Sequence, residues 1–163
     1  MPETEMYLLE DFEDGNYWYA VSDTWDTWGI HNLSLNAELS KTWKSSGEYS
    51  LKCTMDAALP DTSKQGSWCG TPSDQNLSGY KMIAVDIYNP ETFDYELNIA
   101  FQNKLDWKWE ETKSLIVPTG SHTALFDISH MNEEYMKNVF VYMIQSINEH
   151  DAGTIYFDNF RSY

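Results

Sequence analysis

The sequence predicts an all-β fold, an antiparallel β-sandwich of jelly-roll type. Three observations predict it. Apolar and polar residues alternate in short runs, those runs are rich in β-branched and aromatic residues, and turn residues interrupt them at intervals of roughly 8 to 12 residues. No helical pattern is long enough to carry the crossover that a parallel sheet needs.

Taken in order, "MYLLEDFEDG" opens with one such run. "NLSLNAELSKTW" alternates, "KSSG" turns the chain, and "EYSLKCTM" alternates again. "GSWCGT" is a short run bounded by glycines. "YKMIAVDIYNP" places Ile83, Val85 and Ile87 on one face and stops at Asn89-Pro90, where proline removes a ladder donor. "YELNIAF" places Leu97, Ile99 and Phe101 on one face. "WKWEETKSLIVP" follows after the polar break "NKLD", and "TALFDI", "NVFVYMIQSI" and "TIYFDNFRSY" complete the series. Between strands, "HMNEEYMKN" reads as about two turns of helix.

A length of 163 residues suits one domain, a single module over 1–163 with a core of its own. With 42% hydrophobic and 22% charged residues the composition is globular rather than disordered. No apolar run approaches a membrane span, and the first residues lack the basic start and apolar stretch of a signal peptide. The protein is therefore either cytoplasmic or a piece of a longer secreted polypeptide. A net charge of −16 repels nucleic acid and anionic membranes and leaves neutral ligands and cations as partners. Seven Trp and 11 Tyr exceed what a core of this size needs, so some rings belong at the surface. Cys53 and Cys69 cannot make a zinc site alone; two buried free thiols are favoured over a disulfide.

Three constellations could carry chemistry. In the hairpin over 96–113, a four-residue loop Asn103–Asp106 would set Gln102 opposite Trp107, Ala100 opposite Trp109 and Asn98 opposite Glu111. Aromatic plates beside amides and a carboxylate suit a sugar, whose ring has an apolar C–H face and a hydroxyl rim. A one-residue slip would instead turn both tryptophans into core. Glu111 and Lys113 on the same strand face argue for the ligand side.

"SDTWDTWG" holds Trp25 and Trp28, which can converge only if this stretch is a loop, the alternative being that one of them plugs the core. Trp43, ending a strand before a turn, reads as core, and Trp68 could be either. Finally, "DFEDG" and "YFDNF" place acids on the first and last strands. Those acids are either a hard oxygen site suited to Ca²⁺ or an ordinary solvated edge. Signs of catalysis are few. Adjacent carboxylates on a strand point to opposite faces, the histidines are scattered, and Asp86 with Glu111 is the one pair that could converge in a cleft.

The order "LLEDFEDG", a Trp-rich loop, "SSGEYSLKCTMD", "LSGYKMIAVDIYNP" and a closing "GTIYFDNFRSY" resembles the β-sandwich carbohydrate-binding modules of bacterial cellulases and hemicellulases. The resemblance spans nearly the whole chain, is sharpest at its two ends, and is nearest to families eleven, thirty, forty-four and sixty-five. It implies a concave face on which single β-glucan, xyloglucan or cellulose chains lie over Trp and Tyr rings. Carried over to this sequence, the platform is Trp25, Trp28, Trp107 and Trp109, with Gln102 and Gln145 as hydrogen-bonding partners and Tyr142 as a further candidate. The resemblance also implies a structural Ca²⁺ between Glu13 and Asp158. The expected activity is non-catalytic: a secreted, monomeric module that targets an attached glycoside hydrolase to plant cell wall polysaccharide. The rival readings are a jelly-roll glycan-degrading enzyme and a protein-interaction sandwich.

Overall fold

The computed structural model describes residues 5–14, 18–21, 35–55, 66–70, 75–147 and 151–163; at 18–21, 35, 55, 66–70 and 141–142 the description is of the backbone. Two antiparallel sheets form, as the alternation predicts. The first has strands β3 (Leu35–Ser40), β4 (Ser50–Met55), β6 (Met82–Asn89), β10 (Gly120–Asp127) and β12 (Gly153–Ser162) in the order β10-β6-β12-β4-β3. Strand β1 (Tyr7–Glu10) pairs with β12, so the two ends of the chain are neighbours. The second sheet has β2 (Trp18–Val21), β5 (Gly66–Gly70), β7 (Tyr95–Asn103), β8 (Trp109–Glu111) and β11 (Val139–Ser146) in the order β2-β5-β11-β7-β8. Strand β9 (Leu115–Val117) also pairs with β7.

The core lies between the sheets and is built from the faces the period-two pattern marked. Ile83, Val85 and Ile87 of β6 meet Leu97, Ile99 and Phe101 of β7, with Leu51, Tyr95, Phe126, Ile144 and Phe157 around them. Phe12, just after β1, is fully buried edge-on to Phe160 at 6.0 Å, and so seals the end where the chain begins and finishes. Cys53 is a buried free thiol within this core, on the opposite sheet from the β5 position of Cys69.

Three elements differ from expectation. The run "WKWEETKSLIVP" makes two short strands, β8 and β9, rather than one. At the break, buried Thr112 takes over the ladder: its N–H donates to Ile99 O (2.9 Å) and its hydroxyl accepts from Ile99 N–H (3.0 Å). The helix α1 (Glu133–Met136) is a single turn, capped by Asn132, whose side chain accepts from Glu134 N–H at 2.9 Å. Trp43 is not core. It sits beyond β3 on the outer side of the first sheet, stacked on Tyr88 at 5.7 Å.

Candidate functional site

The outer face of the second sheet collects the polar residues of the hairpin. On β7, Leu97, Ile99 and Phe101 point into the core, so Glu96, Asn98, Ala100 and Gln102 lie on the other side. Register places Gln145 of β11 beside Asn98, Met143 beside Ala100, Glu111 of β8 beside Ala100, and Trp109 beside Gln102.

The observed hairpin is longer than expected. Gln102 faces Trp109 rather than Trp107, and Ala100 faces Glu111 rather than Trp109. The cause is local. Asn103 accepts from Asp106 N–H through its side chain (3.1 Å), its own N–H donates to Lys108 O (3.1 Å), and Trp107 takes a left-handed φ of 60°. The register moves by two residues, which preserves parity, so Trp109 stays on the face predicted for it. Trp107 leaves the strand. It is 64% exposed at the loop, edge-on to Phe140 at 5.2 Å, and its carbonyl accepts from Gln102 Nε2 at 3.2 Å.

The chemistry of this face is amide oxygen and indole. Trp109 Nε1 donates to Glu111 Oε1 at 2.8 Å, which fixes the ring against the strand. Glu96 accepts from the Ser114 hydroxyl at 2.6 Å. Asn98 is 5% exposed and Gln145 fully buried, yet Asn98 Oδ1 and Gln145 Oε1 have no hydrogen-bond partner among the described residues. The Gln145 Nε2 group makes a weak contact to the Met143 sulfur at 3.7 Å. Each unpartnered buried acceptor costs about 1–3 kcal/mol, and here two sit side by side on adjacent strands. Asn98 and Glu96 were available to sequence reasoning from the alternation of β7. What marks Asn98 as functional, its unmet oxygen, is a property of the folded chain.

The remaining sequence candidates divide. Trp25 and Trp28 lie outside the described residues. The side chain of Tyr142 does too, and its backbone pairs with Phe101, in the row that carries core residues, not with the Gln102 row. Asp86 and Glu111 do not converge: Asp86 is on the outer side of the first sheet and Glu111 on the outer side of the second.

Glu13 and Asp158 are brought to one loop, residues 41–49. Glu13 Oε1 accepts from the N–H groups of Glu48 and Tyr49, each at 2.8 Å. Asp158 is buried. Its Oδ2 accepts from Ser45 N–H (2.8 Å), Ser46 N–H (3.0 Å) and the Ser45 hydroxyl (3.2 Å), and its Oδ1 accepts from Asn159 N–H (2.7 Å). Burial pushes the Asp158 carboxyl above its usual range despite these bonds. A calcium ion needs free carboxylate and carbonyl oxygens. Here N–H dipoles present their positive ends to Glu13 Oε1 and to both Asp158 oxygens, so the pair as arranged acts as a clasp on the loop.

No family model matches the chain, and no curated protein matches it. Solved structures do. A family 11 carbohydrate-binding module from Clostridium thermocellum, in complex with a β-1,3-1,4-mixed-linked tetrasaccharide, aligns at a TM-score of 0.69 and 14% identity over 96% of this chain and 94% of that one. A family 28 module specific for non-crystalline cellulose aligns at 0.68 and 16% identity, covering 99% and 96%. A family 27 module from Caldicellulosiruptor saccharolyticus, in complex with mannohexaose, aligns at 0.61 and 17% identity, covering 98% and 97%. At these identities the likeness is one of fold: the chain has the β-sandwich of carbohydrate-binding modules along nearly its whole length.

Proposed function

We propose that this chain is a non-catalytic module that binds single chains of neutral β-linked glucan on the outer face of its second sheet. The observation that carries the proposal is the pair of buried, unpartnered amide oxygens of Asn98 and Gln145 in the row next to Trp109. A sugar presents hydroxyl donors for the two acceptors, which it reaches by displacing what covers them, and a C–H face for the half-buried indole. Gln102 and Glu111 flank the ring, with Ala100 paired to Glu111 one position further along the same face. The fold relatives solved with a mixed-linked tetrasaccharide and with mannohexaose support a glycan of this size and neutrality. A surface carrying −16 charges does not repel such a ligand.

In this reading the protein acts outside the cell as one monomeric part of a longer bacterial polypeptide. It raises the concentration of an attached glycoside hydrolase on cell wall polysaccharide, an effective-concentration effect. Nucleic acid and membrane have no role in it. No helix among the described residues is long and apolar enough to cross a membrane. The glycanase alternative needs two carboxylates across one bond, and Asp86 and Glu111, the pair the sequence offered for it, lie on opposite sheets.

Affinity electrophoresis against mixed-linkage β-glucan, xyloglucan, cellulose derivatives, mannan and xylan tests the proposal. Retardation on a β-glucan that weakens in Trp109→Ala is expected. Unretarded migration on every polymer refutes it.

A further inference from the structure

We infer a second glycan-contact site, on the outer face of the first sheet and therefore on the opposite side of the sandwich from Trp109. Register aligns one row across the five strands β3, β4, β12, β6 and β10: Glu38, Lys52, Tyr156, Tyr88 and Ser121. The next row brings Asp158, Asp86 and Thr123 together. Trp43 is folded onto this surface from the loop after β3. It stacks on Tyr88 with planes 24° apart and leans on Tyr156 at 6.3 Å, while Tyr88 and Tyr156 lie 5.8 Å apart. Trp43 and Tyr88, both half-buried, thus adjoin on this outer face over Tyr156, which is itself 7% exposed.

Beside them is a hollow of about 230 Å³, walled by Trp43, Ser45, Asp86, Ser121, His122 and Thr123. Its character is hydroxyl and indole, with its one acid already neutralised. Asp86 accepts from Arg161 Nη2 (3.1 Å), the Thr123 hydroxyl (2.8 Å) and Asn159 Nδ2 (3.2 Å). A carboxylate so engaged does not call for a cation. Among the described residues nothing bonds the indole N–H of Trp43 or the hydroxyl of Tyr88, so two polar tips remain on the half-buried rings. An aromatic plate, free donors and a charge-neutral hydroxyl-lined hollow together select a neutral pyranose.

The clasp explains why the ring is there. Glu13 and Asp158 hold the loop at Ser45, Ser46, Glu48 and Tyr49, and the Ser50 hydroxyl donates to the carbonyl of Trp43 itself. The loop is anchored at the tryptophan's own carbonyl and at the residues that follow it. An ordinary solvated strand connection needs no such hold.

This inference rests on the glycan-binding reading, and its test separates the two. Amide and indole resonances of the whole chain are followed by NMR during titration with the mixed-linked tetrasaccharide, in wild type and in Trp43→Ala. The expected result is two groups of perturbed signals, one at Asn98, Trp109 and Gln145 and one at Trp43 and Ser121 to Thr123. In Trp43→Ala the second group requires about tenfold more ligand or vanishes, while the first is unchanged. Perturbation confined to the first group overturns the second site and leaves the proposed function standing. Perturbation confined to the second group sustains this site and overturns the placement on the other sheet. No perturbation in either overturns both. The wild-type titration decides the matter even if Trp43→Ala does not fold.

Discussion

Replacing Gly47 by alanine tests the clasp directly. Gly47 has φ +60°, and a Cβ built there would lie 2.3 Å from Glu13 Oε1, 2.5 Å from its Cδ and 3.0 Å from Oε2. Two costs follow. An L-residue in the left-handed region loses about 1–2 kcal/mol. The methyl also evicts the Glu13 carboxylate, which forfeits its bonds from Glu48 and Tyr49 N–H. Those bonds are solvent-exposed, so the pair together contributes about 1–2 kcal/mol rather than the larger value of buried charged bonds. The sum is about 2–4 kcal/mol, or a fall in Tm of about 4–16 °C for a chain of this length.

The comparison that isolates the second cost uses Gly79, which has φ +87° and nothing within 4 Å of the point where a methyl carbon would stand. Gly79→Ala should therefore cost the backbone term alone, about 1–2 kcal/mol. Glu13→Ala should lose the pair of bonds, and Gly47→Ala in that background should add only the backbone term. Urea unfolding of wild type, both single variants at 13 and 47 and their double gives the coupling directly. A coupling of about 1–2 kcal/mol is expected. If it is below about 0.5 kcal/mol, Glu13 does not hold this loop and the reasoning fails.

Four further outcomes are expected. Trp109→Ala should weaken β-glucan binding about tenfold with little change in Tm, measured by calorimetric titration and thermal melting; unchanged affinity would remove Trp109 from the site. Gln145→Met should raise stability, by about 1 kcal/mol in urea unfolding, while weakening binding, because it deletes an unmet buried acceptor that the ligand alone satisfies; a loss of stability would mean the oxygen is already bonded. Burial alone would raise the Asp86 carboxyl, but the nearby Ser45 hydroxyl together with the bonds from Thr123 and Arg161 outweighs it and holds it below its ordinary 3.8. The unfolded chain then binds the proton more tightly, so this group's contribution is complete above about pH 4 and fades as pH falls through the depressed value. Asp86→Asn should flatten that acid limb of Tm against pH, and an unchanged limb would contradict the assignment. Lastly, chelator or added Ca²⁺ should leave Tm unchanged if Glu13 and Asp158 are committed to N–H donors; a Ca²⁺-dependent rise of several degrees would show that the loop rearranges to bind the ion.

Much of the fold was legible because a strand has a period of two. The alternation of Ile83, Val85 and Ile87, and of Leu97, Ile99 and Phe101, identifies the core side, and everything between those residues must face outward. The same parity protected the placement of Trp109. The hairpin came out two residues longer than the sequence suggested, yet an even slip returns each residue to its face. Loop length was illegible because it depends on Asn103 bonding its own turn and on Trp107 accepting a left-handed conformation, which non-glycine residues adopt seldom.

The positions of Trp43, Glu13 and Asp158 share one origin. A tryptophan after a strand reads as core because burial is its usual fate, and acids on terminal strands read as metal ligands because charge is what a sequence displays. What decides all three is a set of contacts spanning up to 113 residues, in which Asp158 of the last strand reaches Ser45. No local pattern encodes that distance. Once it is made, the acids serve as acceptors for a loop, and the loop delivers its tryptophan to the outside of the sheet. Two features that looked independent are then one device, in which the chain ends hold the segment that carries the ring. A variant that frees the loop without touching the ring, Glu13→Ala, should therefore weaken the second set of NMR perturbations and leave the set at Trp109 intact.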